Sequence, residues 1–91
     1  MRLIARVDKN QVEIVTALRR AGARVLLLHQ HGQGVPDALV GFRGRLLLME
    51  FKSPGGRLSE DELAFYDNWM EYMVVVYSAE EALKYIGATN G

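Results

Sequence analysis

Two apolar segments, residues 37–42 and 45–52, are joined by the dipeptide Arg43-Gly44. A glycine at the second position suits a tight turn, so the pattern predicts a β-hairpin. If the turn is centred between these two residues, Asp37 lies directly opposite Glu50, with their Cβ atoms roughly 4.5–5.5 Å apart. A loop of odd length would shift this pairing by one residue.

Lys52 shares a sheet face with Glu50, because side chains two residues apart in a strand point the same way. Two carboxylates placed opposite each other destabilise a sheet unless positive charge lies nearby. A divalent cation would supply that charge, and oxygen ligands favour Mg²⁺ or Mn²⁺ over zinc. Such an ion can activate water for phosphodiester hydrolysis, while Lys52 orients or deprotonates the water. We therefore expect Asp37, Glu50 and Lys52 to be catalytic residues.

A solvated ion-pair cluster is the common alternative for two acids and a lysine on one sheet face. Three features favour a catalytic site. Residues 46–49 are apolar throughout, as expected for a central strand buried on both faces. A glycine-rich loop and Pro36 precede Asp37, and the chain breaks into Pro54-Gly55-Gly56 just after Lys52, which leaves open space above the site.

Periodicity and capping signals predict the remaining elements. Ser59 and Ser78 each open a capping box. The predicted helices cover residues 8–21, 59 to about 71, and 78–86, and the predicted strands cover residues 25–28, 37–42, 45–52 and 73–77. The order α-β-β-β-α-β-α predicts an α/β fold with a mixed β-sheet flanked by helices, in a single domain over residues 1–91.

Composition and charge narrow the class of protein. The chain has no cysteine, so a disulfide framework and a cysteine-ligated zinc site are both excluded. The N-terminal apolar patch is too short for a secretory signal, and no apolar run could span a bilayer, so we expect a soluble, cytoplasmic protein. The net charge is zero, but all except one of the 11 Lys and Arg residues precede Leu58. The half that carries the motifs is therefore basic. We expect neither an organic cofactor nor association with a membrane.

Three segments in sequence resemble the virus-type replication-repair nuclease (VRR-NUC) domain, a member of the PD-(D/E)XK nuclease superfamily. They are Gly34-Val35-Pro36-Asp37, Glu50-Phe51-Lys52, and the run from Ser53 through Pro54-Gly55-Gly56-Arg57-Leu58 to Ser59. The resemblance covers nearly the whole chain, including the first helix and the late apolar strand with its helix. It implies a restriction-endonuclease-like fold and a Mg²⁺- or Mn²⁺-dependent DNA endonuclease acting on branched or duplex DNA in replication and repair. It also implies a small bacteriophage-encoded protein that works as a homodimer.

The resemblance implies further site residues. Glu13 matches the family's acid on the first helix and would add a metal ligand beside Asp37 and Glu50, although an ordinary solvated helix acid is the alternative. The main-chain carbonyl of Phe51 is the usual additional ligand. One position departs from the family, because Glu62 stands where members often have a glutamine near the metal-activated water. Glu62 is also the N3 residue of the first capping box, and capping is its favoured role.

Basic side chains near the motifs are candidates for contact with nucleic-acid phosphates. The candidates are Arg43, Arg45, Arg57 and His31. Surface arginines without a partner are the alternative. His29 and His31 alone are too few to predict a transition-metal site.

The second predicted helix is rich in aromatic residues, namely Phe65, Tyr66, Trp69 and Tyr72. Most of them are expected in the core. One sheet face cannot cover so wide an apolar surface, so the helix also indicates a homodimer interface. A monomer with these aromatics packed under the last helix is the alternative.

Two alternative functions remain at this stage. One is a non-catalytic nucleic-acid-binding module on the same fold, although the presence of Asp37, Glu50 and Lys52 argues against a decayed site. The other is a nuclease of the same superfamily with a different task, such as a four-way-junction resolvase or a restriction-type enzyme.

Overall fold

The structure is a computed structural model that describes residues 9–28 and 31–88. The predicted cap Asp8, residue His29 and the end of the chain lie outside the described residues. The elements, in chain order, are α1 (Lys9–Arg20), β1 (Arg24–Leu27), β2 (Ala38–Phe42), β3 (Arg45–Phe51), α2 (Glu60–Trp69) continued by a 3₁₀ turn (Met70–Tyr72), β4 (Met73–Val76) and α3 (Ala79–Ile86). None of the described helices is long and apolar enough to cross a membrane.

The hairpin between β2 and β3 has the predicted register. Phe42 pairs with Arg45, and the antiparallel pairing continues to Ala38 opposite Met49. Arg43 and Gly44 both have positive φ angles, of 51° and 81°. Two left-handed residues in a two-residue loop form the kind of turn whose twist matches that of the flanking strands. The turn therefore fixes which residues meet at the far end of the hairpin.

The four strands form one mixed sheet in the order β1-β2-β3-β4. β1 and β2, like β2 and β3, are antiparallel, whereas β3 and β4 are parallel and are connected through α2. This confirms the predicted α/β class with a mixed sheet flanked by helices. β3 lies inside the sheet, so its carboxyl end is held by neighbours on both sides.

The core lies between one face of the sheet and helices α1 and α3, which pack against each other. Its fully buried side chains include Ile14 and Leu18 from α1, Val40 and Met49 from the hairpin, and Val76 from β4. Because side chains alternate along a strand, the residues before and after Met49 point to the opposite face. That face carries Leu48 and Glu50.

The opposite face is only partly covered. The expectation that residues 46–49 are buried on both faces was wrong, because Leu46 is 71% exposed and Leu48 is half-buried. The expectation that the aromatics of the second helix are core residues was also wrong, since none of the described residues of α2 is buried. α2 lies beside this face across an open groove of about 500 Å³ whose lining includes Leu39, Leu48, Phe65 and Trp69.

The two predicted capping boxes differ. At the start of α2, the Ser59 hydroxyl accepts a hydrogen bond from the Glu62 amide, and the Glu62 carboxylate accepts one from the Ser59 amide, so the first box is complete. At the start of α3, the Ser78 hydroxyl accepts from the Glu81 amide, but the Glu81 carboxylate accepts from the amide of Tyr77. In the second box the carboxylate therefore bonds the amide of the residue before the N-cap, and not the amide of the N-cap itself.

Candidate active site

Asp37 lies directly before β2, after the buried Pro36. One carboxylate oxygen of Asp37, Oδ2, accepts a hydrogen bond of 2.7 Å from the main-chain amide of Phe51. The pairing of Ala38 with Met49 places Asp37 and Glu50 as the next pair of the hairpin. The predicted juxtaposition of the two acids is thus present, and the Phe51 amide holds Asp37 against the end of β3.

Glu50 is the buried acid of the site, with only 3% of its surface exposed. Burial raises its pKa, and the charges of Asp37 and Glu62 raise it further, to about 8. Burial also raises the pKa of Asp37, although the hydrogen bond from Phe51 and the charge of Lys52 work in the opposite direction. Without a bound cation, the site therefore retains a proton at neutral pH.

Lys52 extends over the same face and contacts two carboxylates. Its Nζ atom lies 3.4 Å from Oε2 of Glu50 and 2.9 Å from Oε1 of Glu62. Burial lowers the pKa of Lys52, but the hydrogen bond to Glu62 and the charge of Glu50 outweigh it, so the pKa lies above its usual value. Lys52 is thus a fixed cation. Because it stays protonated, Lys52 is better suited to orient a water molecule and stabilise negative charge than to accept a proton.

Glu62 caps α2, as predicted, and also contacts the site. Its carboxylate completes the capping box of α2 and also forms the ion pair with Lys52. Burial raises the pKa of Glu62, but the hydrogen bonds from Ser59 and Lys52 outweigh this effect, and the pKa is lowered overall. Glu62 therefore keeps its negative charge next to Lys52.

Two residues support the site through contacts that were not predicted from the sequence. The Asn10 side-chain amide donates hydrogen bonds of 3.0 Å to the carbonyls of Lys52 and Tyr77, which ties α1 to the end of β3. Gly34 has a φ of +82°, and a Cβ atom at this position would clash with the main-chain carbonyl of Asp61 in α2. The first has no sequence signal, since asparagine is ordinary near a helix start. The glycine-rich loop was noted, but its contact with α2 depends on tertiary packing.

Glu13 takes part in none of the contacts that join Asp37, Glu50, Lys52 and Glu62. It lies on α1 one turn after Asn10, with an exposed side chain. The hydrogen bonds that link α1 to the site strand come from Asn10. The assignment of Glu13 as a metal ligand remains a prediction.

Arg43 and Arg45 lie away from the acidic site, and their assignment to nucleic-acid contact stays a prediction. Both lie at the hairpin turn, and Arg45 is about 16 Å from Glu50 along β3, at ~3.3 Å per residue. Their side chains are also engaged elsewhere. The guanidinium of Arg43 stacks over the ring of Phe42 at 4.8 Å, and that of Arg45 donates to the Ile86 carbonyl at the end of α3.

The other two candidates for nucleic-acid contact have different surroundings. Arg57 is exposed in the segment between Lys52 and α2, close in sequence to both sides of the site. His31 is exposed and borders the apolar groove between the sheet and α2. The assignment of both residues to nucleic-acid contact stays a prediction.

The acidic cluster offers carboxylate oxygens, the ligands that hard divalent cations prefer. Asp37, Glu50 and Glu62 bring three carboxylates together, and Lys52 is the cation that the described residues place against them. No group of three or more His, Cys, Asp and Glu residues in the described part of the chain is spaced to enclose a metal by itself. Mg²⁺ commonly binds through one or two carboxylates and completes its shell with water and substrate oxygens, which suits Asp37 and Glu50.

Comparison of the chain with protein-family models, curated proteins and solved structures gave no match. Function must therefore be inferred from the site itself. Its defining feature is the buried Glu50, which lies between two further carboxylates and one lysine.

Proposed function

We propose that the protein is a Mg²⁺- or Mn²⁺-dependent nuclease that hydrolyses DNA phosphodiester bonds with Asp37, Glu50 and Lys52. One observation carries this proposal. A carboxylate that is 97% buried is placed against a second acid, and its pKa is raised to about 8. Perturbed acids of this kind cluster at functional sites, because a fold tolerates the unfavourable burial only where other interactions compensate for it.

Asp37 and Glu50 would hold the metal, with the main-chain carbonyl of Phe51 as a further ligand. When bound, the ion would lower the pKa of a water molecule and stabilise charge on the phosphoryl oxygens. Glu50 must release its proton to become a ligand. Asp37 keeps a fixed orientation through its hydrogen bond from the Phe51 amide.

Lys52 would act on the phosphate and on the attacking water. Its ammonium group is held 3.4 Å from Glu50, so it lies beside any phosphate oxygen that approaches the acids. A preorganised cation stabilises the negative charge that develops in the transition state without the cost of reorientation. Lys52 would also donate a hydrogen bond that orients the water for attack.

We also propose that the chain has a restriction-endonuclease-like core and belongs with the VRR-NUC domains. The element order, the antiparallel β2-β3 hairpin and the parallel β4 beside β3 support this proposal. So does the position of the two acids at the paired ends of β2 and β3. By the same reasoning, the expected substrate is branched or duplex DNA that is processed in replication or repair.

The partly covered sheet face supports a homodimer. Trp69 and Tyr72 are 45% and 58% exposed, and they line the same groove as Leu46 and Leu48. A chain of 91 residues gains little stability from its own core, so burial of this face by a second copy would add apolar contacts that it lacks. A two-fold dimer would also present two active sites at a fixed spacing.

The proposal is tested with linear, flapped and four-way DNA substrates incubated with and without Mg²⁺ or Mn²⁺. We expect cleavage only with metal, and chelation should abolish it. Preference for the four-way substrate would assign a junction resolvase. Binding without cleavage of any substrate under all metal conditions would contradict the nuclease and favour the non-catalytic nucleic-acid-binding module.

A further inference from the structure

We propose that Glu62 is the positioning residue for Lys52, and that the first turn of α2 thereby sets the place of the lysine in the site. This inference rests on the proposed nuclease function only for its catalytic consequence. The structural part stands on contacts among residues of this chain. Capping does not require the negative charge of Glu62, because a glutamine at this position can also accept the hydrogen bond. Holding Lys52 does require it.

One oxygen atom of Glu62 carries both contacts. Oε1 accepts a hydrogen bond of 2.8 Å from the main-chain amide of Ser59 and lies 2.9 Å from Nζ of Lys52. The amide is part of the main chain at the helix start, so it fixes the carboxylate. The fixed carboxylate in turn fixes the ammonium group.

Lys52 needs such a restraint, because its side chain is long and flexible. The side chain is 20% exposed, and its contact with Glu50 is the longer of the two, at 3.4 Å. A lysine held by one distant carboxylate samples many rotamers, and fixing it has an entropic cost. The shorter contact with Glu62 orders the lysine side chain before any substrate binds, so binding does not have to.

The first turn of α2 is itself fixed relative to Asp37. The main chain of Gly34, three residues before Asp37, approaches the Asp61 carbonyl so closely that no side chain fits between them. Asp61 directly precedes Glu62. The loop that precedes Asp37 and the helix turn that carries Glu62 therefore meet at one close contact.

Glutamine at position 62 separates capping from positioning. A glutamine at N3 of a capping box still accepts the hydrogen bond from the N-cap amide, so Glu62→Gln should preserve the start of α2. It removes the negative charge that holds Lys52. Glu60→Gln is the matched control, since Glu60 is an exposed acid in the same turn.

The first test is amine labelling of metal-free protein, followed by mass spectrometry of each lysine. We expect Glu62→Gln to raise the labelling rate of Lys52 several-fold, while the exposed Lys84 keeps its rate as an internal reference. Glu60→Gln should leave both rates unchanged. Thermal unfolding verifies that the variants fold. An unchanged labelling rate of Lys52 in folded Glu62→Gln protein would overturn the proposal.

The second test separates positioning from metal ligation and from nuclease function. Glu62→Gln should lower kcat by about 100-fold with little change in KM for DNA, as expected for a misplaced catalytic group. Mn²⁺ affinity, measured without DNA, should change little, and a large loss would overturn the positioning role by making Glu62 a ligand. If wild-type protein cuts no DNA, the nuclease proposal fails, but the labelling result still decides whether Glu62 holds Lys52.

Discussion

At the scale of single residues, the buried Glu50 lowers the free energy of unfolding of the metal-free protein when it is ionised. In the unfolded chain it loses its proton near its ordinary pKa of 4.5, whereas in the folded protein it keeps the proton up to about pH 8. Between these values the folded state binds more protons than the unfolded state. The free energy of unfolding must therefore fall as the pH rises through this window.

We predict that this pH dependence becomes clearly weaker in Glu50→Gln. Metal-free wild-type protein should lose up to about 1.4 kcal/mol of stability per pH unit between pH 5 and 8, the slope for one proton. Glu50→Gln should have a clearly smaller slope in the same window, because glutamine does not titrate. Denaturant unfolding at each pH measures the slope, with the exposed Asp67→Asn as the control. An equal slope in Glu50→Gln would show that Glu50 is not the group that titrates.

Lys52 gives the second prediction at this scale. Because its ammonium group is placed beside the acids, Lys52→Ala should reduce kcat by about 100-fold. Binding of DNA and of Mn²⁺ should weaken far less. Lys84→Ala is the control from α3. If Lys52→Ala instead weakens DNA binding while turnover stays constant, Lys52 is a phosphate anchor and has no role in the transition state.

At the scale of secondary-structure elements, Arg45 and Arg57 are expected to differ. The Arg45 side chain donates to the Ile86 carbonyl at the end of α3, so Arg45→Ala should lower the free energy of unfolding by about 0.5–1.5 kcal/mol. Arg57 is exposed in the segment between Lys52 and α2. Arg57→Ala should therefore reduce the dependence of DNA binding on salt, by a slope of about 0.9 for one phosphate contact. The reverse pattern, in which Arg45 changes the salt slope and Arg57 does not, would contradict this placement.

The hairpin shows what could be predicted from sequence at this scale. The dipeptide Arg43-Gly44 determines a two-residue turn, and a two-residue turn determines the register that brings Asp37 to Glu50. These are local properties of the chain. The position of Lys52 beside Glu50 then follows from alternation along the strand.

Other features of the site could not be predicted, because they depend on how separate elements pack. The contact between Glu62 and Lys52 requires α2 to lie over the end of β3, and no periodicity specifies that. The exposure of Leu46 has a related cause, since its apolar neighbours suggest burial whether or not a helix covers them. The hydrogen bonds of Asn10 likewise join elements that are far apart in sequence.

At the scale of the whole molecule, we predict a homodimer through the face that α2 leaves partly open. Sedimentation equilibrium at micromolar concentration should give the mass of two chains. Leu46→Glu should raise the dissociation constant by about tenfold or more, because it introduces a charge into the proposed interface. Val12→Glu is the matched control, since Val12 is an exposed apolar residue of α1. A wild-type monomer at these concentrations would contradict the dimer and leave the groove without a second copy.

The central claim is that two adjacent acids make this fold a metal-dependent nuclease. The most direct measurement compares DNA cleavage in Mg²⁺ by wild-type protein, Asp37→Asn, Glu50→Gln and Asp67→Asn at equal concentrations of folded protein. We predict cleavage by the wild type and by Asp67→Asn, and a loss of about 1,000-fold or more in the other two variants, since each removes a ligand of the ion that activates water. Wild-type cleavage rates in Asp37→Asn or Glu50→Gln would contradict the account.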